Sequence, residues 1–152
     1  MEFLKKQRLS FYFLAVSIVL TAVALGIYLS NASNAYFGET ANSVIVIATV
    51  LAIVGEAALI VLNQVSEGNR VLEIVSDVIA VVVPFAIAEV VMRFVGLRVY
   101  DMAIIYGSEL ESGNASAWSA MGQAITGMVI YAAALVLCIA AAFMKSGVKK
   151  EG

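Results

Sequence analysis

Four apolar runs, each long enough to cross a lipid bilayer, leave almost nothing else in this chain to fold. They extend over about 9–29, 43–62, 71–94 and 119–144, and a transmembrane helix needs about 20 residues. With 62% hydrophobic and 13% charged residues in 152, a soluble domain is the wrong frame, because such domains are about 45–50% apolar. The expectation is an all-α fold: a single membrane domain over 1–152 in the form of a four-helix transmembrane bundle. Short connections imply antiparallel neighbours. The first run has the charge order of a signal peptide, and Asn31–Ala35 loosely resembles a cleavage site, but the run is longer than a signal core and three more follow.

The longest connection, 95–118, contains a partly amphipathic piece from Arg98 to Tyr106 and a turn-like stretch from Glu109 to Asn114. It is read as a short extracytoplasmic interfacial helix followed by a loop. Basic residues set the orientation. Lys5, Lys6, Arg8, Arg70, Lys145, Lys149 and Lys150 fall on one side and Arg98 on the other, with Arg93 near a boundary. By the positive-inside rule both termini are cytoplasmic, and a cell (plasma) membrane is the expected location. Tyr28, Tyr36, Phe37, Phe94, Tyr100, Tyr106 and Trp118 read as an outer aromatic belt, Phe11 and Tyr12 as an inner one. Two Asn-x-Ser triplets, at Asn31 and Asn114, lie on the outer side; such triplets are common by chance.

The composition excludes several classes of function. There is no histidine, and the one cysteine, Cys138, lies in an apolar run. This rules out an intrachain disulfide, a CxxC redox pair, His-ligated haem and a His/Cys zinc site built by this chain alone. The net charge is only −2 and the basic residues cluster at run boundaries, so nucleic acid is not an expected partner. No cofactor is expected, and whether the acidic residues take a metal stays open.

The intramembrane charges carry the remaining information, since each costs about 2.5–3.5 kcal/mol near a span centre. Glu56 lies six positions from the end of the second run (56 to 62), and Asp77 six from the start of the third (71 to 77). The two are therefore expected at similar depth. Glu56 belongs to a stripe of small residues with Ala48, Ala52 and Gly55, while Glu73, Asp77, Ala80, Pro84 and Ala88 share a face of the third run. If these stripes pack together, the carboxylates share a proton or cation; the simpler reading is that they are hydrogen-bonded and only fix helix pairing. Glu56, Asp77 and Glu73 are thus a candidate ion/proton or helix-packing site. Glu89 and Arg93 form an i, i+4 pair on another face, a candidate interface ion pair. Gly122, Thr126, Gly127 and Ala132–Ala134 give the fourth run a packing seam.

Three functions compete. The first is a non-catalytic integral membrane subunit that oligomerises or anchors a partner within a membrane complex, with the lipid bilayer and either a homo-oligomer or another membrane protein around it. The second is an ion- or proton-coupled transporter or channel subunit using Glu56 and Asp77; no internal repeat supports alternating access by one chain. The third, an intramembrane enzyme, ranks last because no nucleophile in an activating setting, metal motif or nucleotide-binding loop is present. The chain is expected not to be an enzyme.

Overall fold

The computed structural model describes residues 9–66 and 68–144. Among these residues are four helices: α1 (Leu9–Ala32), α2 (Ser43–Val65), α3 (Arg70–Gly107) and α4 (Ala115–Ala142). Each is long and apolar enough to cross a membrane. Lys5, Lys6, Arg8, Lys145, Lys149 and Lys150, which carry the orientation argument, lie outside the described residues.

Local chemistry sets where the helices begin. Asn42, Asn69 and Asn114 stand in extended backbone immediately before α2, α3 and α4, and each side chain accepts hydrogen bonds from two of the first free amides. This is the arrangement for which Asn is favoured at a helix N-terminus. Gly38 and Gly68 take φ of 58° and 86° in the two connections that flank α2, a region glycine enters without penalty.

The helices form a ring in which α1 meets α2 and α4, and α3 meets the same two. Neighbours are antiparallel: Ser17 of α1 touches Glu56 of α2, whereas Tyr28, later in α1, bonds the Asn42 amide just before α2. One end of the ring therefore holds the α2–α3 connection and the other holds the α1–α2 and α3–α4 connections.

The third element departs from expectation. No separate interfacial helix follows it. Residues 98–106 are the last turns of α3, which runs unbroken for 38 residues. No proline falls between Phe94 and Gly107 and Gly96 alone costs only about 1 kcal/mol, so the α-hydrogen-bond ladder simply continues. Pro84 also lies inside the helix without ending it. At about 1.5 Å per residue α3 is about 57 Å long, well beyond a hydrocarbon core of about 30 Å. Two aromatic positions change role as well. Tyr28 and Phe94 are buried in the bundle, with ring centroids 4.9 Å apart, and Phe94 in turn contacts Tyr131. They belong to the core, not to a lipid-facing belt.

Candidate functional site

The interior is built on a spacing of three and four. On α1 the buried positions are Ser10, Leu14, Ser17, Thr21, Ala24, Tyr28 and Asn31; on α4 they are Ala117, Ala120, Ala124, Gly127, Tyr131, Ala134, Cys138 and Ala141. Ile45, Thr49, Ala52, Glu56 and Leu59 continue the pattern on α2. This is the heptad period of helices that pack with a left-handed cross. Apart from Leu14, Ile45 and Leu59 the occupants are small, polar or tyrosine, while Val, Ile and Leu crowd the exposed positions. Such an arrangement suits a lipid surround, where helices associate by close packing and hydrogen bonds and no hydrophobic force separates inside from outside.

Three polar layers follow along this seam. Nearest the α2–α3 end, Glu56 is fully buried and meets the Ser17 hydroxyl through Oε1. Ser17 Oγ also lies 3.0 Å from the Ala134 carbonyl oxygen of α4. The Cys138 thiol stands beside the same carboxyl. Glu56 Oε2 has no hydrogen-bond partner among the described residues, and neither does Thr21 Oγ1, one turn further along α1.

In the middle layer Thr49 donates to the Ile45 carbonyl at 2.7 Å, which leaves the Tyr131 hydroxyl to donate to Thr49 Oγ1 at 3.0 Å. The rings of Phe94, Tyr28 and Tyr131 close the seam beyond it. The fit is tight at Gly127, where an added Cβ would come within 2.9 Å of Phe94 and 3.0 Å of Ile27.

The third layer is centred on Arg98, 1% exposed. Its Nε donates to Asn31 at 3.0 Å, its Nη1 to Glu39 at 2.8 Å and to Asp101 at 3.4 Å, and its guanidinium carbon lies 3.9 Å from the centre of the Phe37 ring. Asn31 passes the connection on by donating to the Ala120 carbonyl. Arg98 thus joins α1, α3 and the α1–α2 connection directly, and α4 through Asn31.

The acidic residues singled out from the sequence are not gathered in one place. Glu56 is interior, whereas Glu73 and Asp77 are exposed on α3, and no hydrogen bond or ion pair joins Asp77 to Glu56. Asp77 instead lines a small pocket of about 90 Å³ at the α2–α3 end, together with Asn63 and Ser76, which are hydrogen-bonded to each other, and with Leu14, Leu59 and Ala141. The Glu89–Arg93 pair forms at 2.6 Å, with both side chains about half exposed at 51% and 46%. As partners inside the bundle, Ser17, Asn31, Glu39 and Arg98 are not apparent from the sequence, which marks Asn31 only by its Asn-x-Ser triplet and Arg98 only as the outer basic residue. The three-four spacing of small and polar residues on the first run is the available signal for Ser17 and Asn31, and nothing local pairs Glu39 with Arg98.

Among the described residues no group of three His, Cys, Asp or Glu side chains is placed to hold a metal ion. No protein-family model, curated protein or solved structure matches the chain.

Proposed function

We propose that this protein is a non-catalytic subunit of a membrane complex, which oligomerises or anchors a partner through the outer face of α3. The observation that carries the reading is the Glu89–Arg93 pair. Arg98 is level with Asn31 and Ala120 at one end of the bundle, so Glu89 and Arg93 lie about 13 and 7 Å deeper along α3. At that depth their neighbours on α3 are exposed Phe85 and Met92, and lipid offers no partner for the hydrogen-bonding capacity that the pair leaves unused. Another protein surface does. On a neighbouring face of α3, towards the α2–α3 end and without contribution from the pair itself, runs an apolar groove of about 290 Å³, with Ala80, Pro84 and Ala88 on the α3 side and Leu135 and Ile139 on the α4 side. Small residues of this kind admit a helix or bulky side chains at close range.

The same reading places the chain in the cell membrane with both termini cytoplasmic. Arg98 is the one basic residue on the opposite side, and its engagement by Glu39 and Asp101 leaves little free positive charge there. Single cysteines at positions 33 and 112 are then expected to react from outside and one at position 66 from inside; the reverse pattern overturns the topology. For the assembly, extraction in mild detergent followed by mass measurement should give an oligomer or a hetero-complex. Glu89→Gln combined with Arg93→Gln should weaken that complex at least several-fold. A wild-type chain that stays monomeric and crosslinks to nothing in its native membrane contradicts the reading.

A further inference from the structure

Beyond the subunit reading, and independently of it, we propose that Glu56 is a proton-binding site that exchanges with water at the α2–α3 end through the pocket lined by Asn63, Ser76 and Asp77. The first argument counts protons. Ser17 Oγ is in hydrogen-bonding contact with both Glu56 Oε1 and the Ala134 carbonyl oxygen. A hydroxyl owns one proton, and a carbonyl oxygen can only accept. Both contacts are full two-centre hydrogen bonds only when Ser17 donates to Ala134 and the Glu56 carboxyl supplies the second proton; an ionised carboxylate would have to share the single Ser17 proton with the Ala134 carbonyl. The second argument is charge. No cation contacts Glu56 among the described residues, its Oε2 is unpartnered, and both oxygens are shielded from solvent. A bare carboxylate there would lack compensation.

The third argument is access. Leu14, Leu59 and Ala141 line the pocket, and each is three residues from Ser17, Glu56 or Cys138 on its own helix. One layer of side chains, about 4.5 Å of helix, therefore separates the carboxyl from a polar pocket with room for water. In the other direction Tyr131, Phe94 and Tyr28 close the seam. Among the described residues the ionisable groups facing Glu56 are few: α4 contributes Cys138 and, one layer on, Tyr131; α3 contributes Asp77 through the pocket; the inner face of α1 contributes the Ser17 and Thr21 hydroxyls, with Tyr28 further along in the ring cluster. When that layer opens and water from the pocket reaches the carboxyl, a hydronium gives its proton to the carboxylate and leaves as water, and the reverse step releases it.

Infrared spectroscopy of the full chain in phosphatidylcholine vesicles tests this. The wild type should show a protonated-carboxyl C=O band at neutral pH that Glu56→Gln removes, that shifts on transfer to deuterium oxide and that declines as the pH is raised up to about 9. Ser17→Ala, which keeps the carboxyl, should move the band, so the assignment survives if Glu56→Gln fails to fold. Leu14→Ala should speed the deuterium shift several-fold. Absence of any Glu56-dependent band means an ionised carboxylate and overturns the proposal. A band that neither exchanges over hours nor responds to pH also overturns it, as does an exchange rate that Phe94→Ala raises and Leu14→Ala does not.

Discussion

Arg98 and Glu56 sit in one buried seam about 21 Å apart, the span from Asn31 to Ser17 on α1, yet the bundle treats them in opposite ways. Around Arg98 it assembles two carboxylates, an amide oxygen and an aromatic face. Around Glu56 it supplies a hydroxyl, a thiol and, among the described residues, no cation. The chemistry of the two groups explains the difference. A guanidinium cannot shed its proton in a protein, so burying it requires counter-charge on the spot. A carboxyl can be buried as the neutral acid and needs only hydrogen bonds. The Arg98 end is accordingly a fixed joint between helices, whereas the Glu56 end is a place where charge can change.

The largest effect should come from breaking the joint. Arg98→Met strands Asn31 and Asp101 and frees Glu39; the loss expected is about 3 kcal/mol, at the low end for a broken buried pair because Glu39 is half exposed and can be hydrated. Unfolding in mixed micelles with a denaturing detergent would measure it. Adding Asp101→Asn to Arg98→Met should restore part of the loss, since the less exposed of the two unpaired charges disappears.

A smaller effect is expected at the partition between the two regions. Gly127→Ala drives a methyl into Phe94 and Ile27, an overpacking that costs about 1–3 kcal/mol. Because Phe94 closes the seam, the same variant should sharpen the comparison by letting the interior amides of α4 exchange faster with solvent. A stable variant with unchanged hydrogen exchange would mean that the aromatic cluster does not seal the bundle.

The contrast between the two ends was only half legible in the sequence. Four spans could be read from apolar length, because a bilayer demands about 20 such residues whatever the packing. The end of the third span could not: hydropathy falls at the lipid boundary, but a helix stops only where its backbone ladder is interrupted, and α3 passes Gly96 and Arg98 to reach Gly107. Glu56 stood out because an acidic residue in an apolar run is expensive wherever it points. Its partners did not, since Ser17 and Cys138 are 39 and 82 positions away (56 − 17 and 138 − 56) and belong to helices whose rotation no local signal reports. Asp77 shared the depth argument with Glu56 but differs in face, being exposed on α3. Arg98 read as an outer boundary charge because composition counts charges without showing that Glu39, 59 positions earlier, is folded against it.

The smallest expected effect tests the central contrast most directly. Glu56→Gln keeps the size of the neutral acid and replaces its proton-bearing oxygen with an amide, so a carboxyl that is already uncharged has no electrostatic interaction to lose. Its unfolding free energy in mixed micelles at neutral pH should lie within about 1 kcal/mol of wild type, the scale of one neutral hydrogen bond. A loss of about 3–5 kcal/mol, the penalty for breaking a buried ion pair, would show that Glu56 is a charged partner like Arg98 and would contradict the account.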